Sequence, residues 1–571
     1  WDANNTTSRM QVETDVNYSA YTSESYCWRK EFVKFSSSYS LGPQENSISS
    51  PKYEIGEGWV GPNHSKGSSY SENIISTNKY SGIYDARCNM SVVSTNSSSS
   101  NASGFNHNTV IKYGSTTVLD TSYLDYQLIN HEFQIPISQI GNSTTSIVHS
   151  ITNIGQGTDY QNVSHITLLY PHNYDFAGNS SFIFGIPFNM SSSKSRLSIN
   201  NLSVTNPILY VLNQTEVKRI PVVSNSSTWE CLVPNSLFGD SSVCYISDSS
   251  DFILIPSLIP VNETSYFDDY SQHNLNDAFL IVTHKKLITE ARNYAAYRAS
   301  FYDTLVLDVE QLYHQFGGGV YKNPIAIRRF IQFAMDIYPS WPSNLFLLGK
   351  SVRSAPENTL GSRNDKTDYD LNLVPSWGYP TSDNHITAGI DSSTRVMAIP
   401  TGRRSATNIS QVSSYLNKVQ EYELEQNPNS IYDLQNKEWQ KNIIHFGGGS
   451  DSTEQAYINT WLGYFEEKVE DTLFGGFVHN FIKDPFSSSL SNNDFQKTKD
   501  LLIDGVSLIT FFGHASSGGG FSQNIDSPDN WNNQGKYPLV IGLGCYTGDV
   551  HGSDTTGYAE ELLSPTSEGG I

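Results

Sequence analysis

Two patterns of apolar and polar positions divide the chain. Up to about residue 270, short apolar or alternating runs such as His165-Ile-Thr-Leu-Leu-Tyr170, Ser181-Phe-Ile-Phe184 and Pro207-Ile-Leu-Tyr-Val-Leu212 are separated by clusters of Asn, Gly and Ser. Such spacing predicts strands, and strands without helices predict a sandwich or several small β modules. Residues Asn262 to Asn276 are polar and acidic and read as a linker. Beyond it the period changes. Ala278-Phe-Leu-Ile-Val-Thr283 predicts a buried strand and Lys285 to Ser300 a helix, with apolar positions at Leu287, Ala291 and Ala295; Thr304-Leu-Val-Leu-Asp-Val309 predicts the next strand. That is a βαβ unit with a right-handed crossover. Asn323-Pro324 opens a further helix through Ile327, Phe330, Ile331 and Ala334, a cap followed by Pro in the first turn.

Four more apolar strands are predicted at Leu345–Leu348, Asn442–Phe446, Val506–Phe512 and Leu539–Leu543, each followed by glycine: Gly349, Gly447, Gly513 and Gly544. Near-continuous apolar strands alternating with helices predict a mainly parallel sheet covered on both faces. In such sheets chemistry sits beyond the carboxyl ends of the strands. The expected fold is therefore multidomain: an all-β region over 1–270, then an α/β domain over 271–571 with subdomains at about 277–436 and 437–571.

Composition narrows the function. The 571 residues are 37% hydrophobic and 12% aromatic with only 16% charged, which is a folding composition. A net charge of −22 repels phosphate backbones and excludes nucleic acid as a partner. No apolar run approaches the roughly 18 residues of a membrane-spanning helix; the nearest, Phe252 to Val261, is broken by Pro256 and Pro260. The chain begins at Trp1 with no basic-then-apolar leader, which reads as a processed or partial chain. Cys27, Cys88, Cys231 and Cys244 lie in the β-rich part, where an exported protein would form one or two disulfides among three pairings and a reduced bacterial protein would form none. Asn-X-Ser/Thr sequences at Asn142, Asn162, Asn201, Asn213 and Asn262 are what chance gives a chain so rich in Asn and Ser.

The fifth cysteine carries the candidate chemistry. It stands after a strand in Gly544-Cys545-Tyr-Thr-Gly548, and 31 residues earlier Gly513-His514-Ala515 follows another strand. A thiol attacks as thiolate, and a neighbouring imidazole both lowers its pKa and protonates the leaving amine. Flanking glycines let a substrate carbonyl approach and aim backbone N–H groups at an oxyanion. Either residue alone reads as a core cysteine or a capping histidine; together, on consecutive strand ends, they read as a catalytic pair.

Gly513-His514 and Gly544-Cys545-Tyr-Thr-Gly548 resemble the His and Cys signatures of gingipain-type cysteine peptidases, whose fold is similar to that of caspases. Phe279-Leu-Ile-Val-Thr-His284, Leu345-Phe-Leu-Leu-Gly349, Ser382-Asp-Asn384, Ile399-Pro-Thr-Gly-Arg403, Tyr415 to Glu423 and Trp439 to Gly449 are most similar to the branch serving as sortase of the type IX secretion system. Residues Phe133 to Pro221, with Leu168-Leu-Tyr-Pro171 and Ser195-Arg-Leu-Ser-Ile199, resemble that sortase's non-catalytic part. The resemblance implies an enzyme on the outer-membrane surface of a Bacteroidetes-type bacterium. It would remove carboxyl-terminal sorting domains from secreted cargo and join the cargo to anionic lipopolysaccharide, working with an outer-membrane β-barrel shuttle protein. It assigns Cys545 as nucleophile, His514 as general base and acid, and the backbone N–H groups of Ala515 and Cys545 as oxyanion donors.

The chain departs from the family pattern at named places. Ala515 follows the histidine where glycine is usual. The acid that orients the histidine has Asp451 as its nearest carboxylate in Gly447-Gly-Gly-Ser-Asp451, and the acidic specificity residue of arginine gingipains is matched in position by Thr453. The sequence ends 26 residues after Cys545, short of the family's catalytic domain, which reads as truncation. No cofactor is required by this chemistry. Asp383 with Asn384, and Asp526, offer hard oxygen ligands for structural calcium, although turn and cap roles are the commoner use of such carboxylates and suit both better. Gly317–Gly319 and Gly447–Gly449 lack a P-loop ending and read as turns. The loop Ala515 to Trp531, with Gly518-Gly-Gly520, Phe521 and Trp531, reads as a wall for an acceptor groove or as a plain surface loop. Two alternatives stand beside the sortase: a gingipain-like endopeptidase that only hydrolyses, and a catalytically silent scaffold or attachment protein.

Overall fold

The structure is a computed structural model. It describes residues 10–45, 48–49, 56–94, 104–154, 159–189, 191–212, 217–235, 242–253, 261, 266–353, 362, 365–378, 380–391, 396–427, 434–516, 520–553 and 557–571. The chain divides into two compact units, Trp1–Phe267 and Asp268–Ile571.

The first unit is all β apart from short 3₁₀ turns among the described residues. A long sheet runs from Gln11–Val12 through Val217–Ile220, Pro207–Leu212, Ser242–Asp248, Phe182–Ile186, Cys27–Lys34, Tyr160–His172 and Ala86–Ser94 to Leu128–Ile135. Two four-stranded sheets accompany it and give the unit two apolar cores. One core gathers Phe176, Phe184, Leu197, Leu209 and Ile246; the other gathers Met90, Ile111, Ile147, Ile166 and Leu168. Alternation explains the pattern, since in Lys194–Leu202 the residues Ser195, Leu197 and Ile199 point inward while their neighbours are partly exposed. All four cysteines of this unit are free, against the disulfides the sequence suggests. Cys27, Cys231 and Cys244 sit in one core and Cys88 in the other, and burial pushes every thiol up, Cys88 to about 12. They act as small apolar core residues.

The second unit holds two four-stranded, wholly parallel sheets where one mainly parallel sheet was expected. In chain order the first contains β1 (Phe279–Thr283), β2 (Thr304–Asp308), β3 (Asn344–Leu348) and β4 (Thr401–Arg404), arranged β2-β1-β3-β4. The second contains β5 (Asn442–Gly448), β6 (Phe477–Ile482), β7 (Leu508–Gly513) and β8 (Leu539–Leu543), arranged β6-β5-β7-β8. Helices cross between strands: α1 (Ile288–Arg298), α2 (Val309–Phe316), α3 (Ile325–Ile337), α4 (Ile409–Gln426), α5 (Ser452–Val469) and α6 (Asn492–Asp504). A short α7 (Tyr558–Leu563) closes the described chain. Val309, expected at the end of a strand, begins α2 instead, because the Asp308 carboxylate accepts from Glu310 N–H and caps the helix one residue earlier.

The second sheet positions the candidate site. Ile444, Phe446, Ile509 and Phe511 fill its core with Leu502 from α6 and Leu562 from α7. Strand β8 is exposed along one face, with Leu539, Ile541 and Leu543 each near half exposure. The buried pair Lys350–Glu560, 2.8 Å apart, ties the chain after β8 to the carboxyl end of β3. Ser405 Oγ donates to the same carboxylate at 2.5 Å, and Arg353 pairs with Asp549 at 2.8 Å.

Candidate active site

Three adjacent strand ends converge. β5 and β7 are in register to the pair Gly448 and Gly513, and β7 and β8 to the pair Phe512 and Leu543. His514 and Cys545 are each the second residue beyond that last pair, on strands about 4.8 Å apart. Close packing at these ends requires glycine. A Cβ on Gly513 would lie 2.7 Å from the Gly448 carbonyl oxygen, and one on Gly544 would lie 2.9 Å from both the Ala515 Cβ and the Phe511 ring. Cys545 is exposed, and Tyr546 beside it has φ of 61°, a left-handed backbone unusual for an aromatic residue. Thr547 Oγ1 donates to the Gly544 carbonyl at 3.0 Å and fixes this turn.

The carboxylate at the histidine is Glu454. His514 Nε2 lies 3.0 Å from both of its oxygens, which leaves Nδ1 for a neighbouring thiol. The Ser450 hydroxyl and backbone N–H donate to Glu454 Oε2 at 2.6 and 2.7 Å. These two bonds first, and His514 after them, hold the Glu454 carboxyl down at about 2. Asp451 is placed differently. It is the N-cap of α5, its Oδ1 accepting from Thr453 and Glu454 N–H at 2.8 and 2.9 Å. In Asp451-Ser-Thr-Glu454 the first acid is spent on the helix cap and the second, three residues on, reaches His514. Thr453 is an exposed first-turn residue of the same helix.

The backbone around the histidine is also arranged. Ala515–Ser516 forms a hairpin with Gly520–Phe521, and Ser522 N–H donates to the His514 carbonyl at 2.9 Å. That bond makes Ala515 and Phe521 a non-hydrogen-bonded pair, so the Ala515 N–H turns away from the hairpin. Gly447 and Gly448 belong to β5. The next residue forms no phosphate cradle, since Gly449 N–H donates to Gln455 Oε1 at 2.9 Å and its carbonyl accepts from Lys483 Nζ at 2.9 Å. Gly317–Gly319 terminates α2, with Gly318 and Gly319 at positive φ.

Other sequence candidates lie elsewhere in their chemistry. Both oxygens of Asp383 are held by the Arg403 guanidinium at 2.7 and 2.8 Å, and Asp526 by Lys499 at 2.7 Å, so each proposed calcium ligand faces a cation. No cluster of three or more acidic, His or Cys side chains suited to a metal occurs among the described residues. Of the loop after His514, Gly518 and Gly519 lie outside the described residues. Phe521 stacks on Phe511 at 3.7 Å and Trp531 is buried with its Nε1–H donating to the Asp526 carbonyl, so both aromatics belong to the core and form no groove wall.

No curated protein matches the chain. Among solved structures, dimeric latent PorU from Porphyromonas gingivalis is 13% identical with a TM-score of 0.46, over 79% of this chain and 45% of that one. The chain thus spans under half the length of that protein. The infectious bursal disease virus structure (Gx strain) and the Endo-D glycoside hydrolase domain from Streptococcus pneumoniae R6 follow at 12% identity each, with TM-scores of 0.15 and 0.14; they cover 38% and 40% of this chain and 40% and 33% of theirs. No helix among the described residues is long and apolar enough to cross a membrane. Peptidase family C25 matches residues 273–571, the whole stretch that carries both parallel sheets, His514, Glu454 and Cys545, and the chain belongs to that family of gingipain-type cysteine peptidases.

Proposed function

We propose that Cys545, His514 and Glu454 form the catalytic group of a cell-surface peptidase that acts on the carboxyl-terminal sorting domains of secreted cargo. The observation that carries the catalytic part is the His514–Glu454 contact at 3.0 Å on the strand beside Cys545. Glu454 orients the ring; His514 takes the Cys545 proton and returns it to the leaving amine. The thiolate attacks the scissile carbonyl, with the N–H groups of Ala515 and Cys545 receiving the oxyanion. A thioester results, and water or an amine then displaces the thiolate.

Transfer of cargo to lipopolysaccharide, cooperation with an outer-membrane β-barrel shuttle and membrane-surface location rest on the sortase-like motifs of the sequence. A plain endopeptidase is favoured by one observation: Cys545 is exposed, His514 is half exposed, and the aromatics expected to shield an acceptor are in the core. Water then competes freely for the thioester. The test supplies a cleavable cargo peptide, a competing amine and the lipopolysaccharide acceptor. Amide product rising with amine concentration supports transfer, and free carboxylate alone under every condition supports hydrolysis. Cys545→Ala and His514→Ala should each remove nearly all turnover, with the double variant little worse than either. Retained turnover in either would rule out this pair as the catalytic group, and absence of turnover in the unsubstituted chain would leave the scaffold reading.

A further inference from the structure

The long sheet of the first unit is split at one seam. Strand Cys27–Lys34 pairs with Tyr160–His172 along its whole length, and Phe182–Ile186 pairs fully with Ser242–Asp248. Between them, among the described residues, only Gly185 and Trp28 are paired. Beyond that pair the Arg29 side chain occupies the seam, its guanidinium donating to the Ile183 carbonyl at 2.8 Å and lying over the Phe182 ring at 4.2 Å. A groove of about 850 Å³ opens there.

The direction of the free backbone groups follows from a proline. Pro171 opposes Trp28 but has no N–H, and its carbonyl accepts from Tyr80 N–H on the other side. Trp28 and Pro171 are therefore a non-hydrogen-bonded pair, and Trp28 turns its backbone groups toward the seam. Alternation along an antiparallel strand turns those of Lys30 and Phe32 the same way, where no strand among the described residues meets them. Such an edge is satisfied by another strand. The walls add apolar and charge selectivity: Phe32, Ile183, Tyr84 and Phe188 are exposed there, and Arg29, Lys30 and Arg87 outnumber the one lining carboxylate, Glu31, which Arg29 already holds at 2.6 Å. The groove is thus positive on a chain of net charge −22.

We propose that this seam is a docking site for an extended acidic polypeptide segment, which adds to the open edge at Lys30 and Phe32, sets apolar side chains among the exposed aromatics and places carboxylates near Lys30 and Arg87. The site lies wholly within the first unit and requires nothing of the peptidase chemistry.

The probe is a blocked, fluorescein-labelled eight-residue peptide alternating glutamate with valine or phenylalanine, read by anisotropy on the full chain carrying Cys545→Ala. Saturable binding is expected, together with about tenfold weakening in Lys30→Glu/Arg87→Glu, two surface charge reversals that leave the core untouched. Lys30→Pro, which removes a seam-facing N–H and no bond to Tyr160–His172, should bind more weakly than Lys30→Ala. N-methylation of alternate peptide amides should abolish binding with the protein unchanged. Equal binding of a lysine-for-glutamate peptide, unchanged affinity of the N-methylated one, or no saturation up to about 1 mM overturns the proposal. Capture of dextran sulfate without the peptide would also overturn it, in favour of a polyanion surface.

Discussion

Removing Lys350 should loosen the connection between β3 and the chain that follows Cys545. Its ammonium is fully buried, 2.8 Å from Glu560 and 3.1 Å from the Val550 carbonyl. Breaking a buried pair by deleting one partner costs about 3–5 kcal/mol, because the other charge is left uncompensated. The structure makes the two deletions unequal. Without Lys350, the Glu560 carboxylate still accepts from Ser405 Oγ at 2.5 Å and Gly557 N–H at 3.0 Å. Without Glu560, the ammonium keeps the Val550 carbonyl. Lys350→Met therefore belongs near 3 kcal/mol and Glu560→Leu near 5 kcal/mol on that scale, about a hundredfold and several thousandfold in local opening. Lys350→Met/Glu560→Leu should cost less than either, since an apolar pair replaces an ionic one. Hydrogen exchange by mass spectrometry on the full chain reads this locally, in peptides covering 344–350 and 545–563. Additive losses in the double variant, or losses under about tenfold in both single ones, would refute the reasoning.

Other consequences are as direct. Glu454→Gln should lower kcat/KM by about ten- to a hundredfold while Asp451→Asn changes it less than about threefold, because asparagine caps a helix nearly as well as aspartate; steady-state kinetics on a peptide substrate decides. The Glu454 carboxyl, held at about 2 by Ser450 and His514, stays ionised as pH falls past its ordinary value of 4.5, so the acid limb of activity should survive in Glu454→Gln. In the first unit, burial and then the neighbouring His64 push His149 from 6.5 down to about 4. The unfolded chain binds that proton first, so stability contributed by neutral His149 is present above pH 6.5 and falls toward pH 4, by roughly 3 kcal/mol. Urea denaturation across this range measures it, and His149→Gln should flatten the slope.

Much of the fold was legible because apolar runs in buried parallel strands carry a strong local signal. Predicted strands such as Leu345–Leu348 and Leu539–Leu543 lie within β3 and β8. β4 was missed because Thr401-Gly-Arg-Arg404 is polar, and Arg403 is fixed by a tertiary ion pair to Asp383 that no local pattern shows. Strand order within each sheet was equally hidden, since it is a long-range property. His514 and Cys545 were readable from glycine-flanked strand ends. Glu454 was obscured by Asp451, an acid whose side chain is spent on the helix cap, and only the geometry separates the two. The disulfide expectation failed because cysteine count says nothing of pairing geometry: Cys88 belongs to a different core from Cys27, Cys231 and Cys244, and those three pack in one core as free thiols.

The rate of Cys545 alkylation at neutral pH tests the central claim most directly. Iodoacetamide is applied to the native chain and to His514→Ala, with mass spectrometry locating the label. A thiol paired with His514 should be labelled about tenfold faster than the same thiol in His514→Ala, and the four buried cysteines should stay unlabelled in both. Equal rates in the two proteins would contradict the catalytic pair.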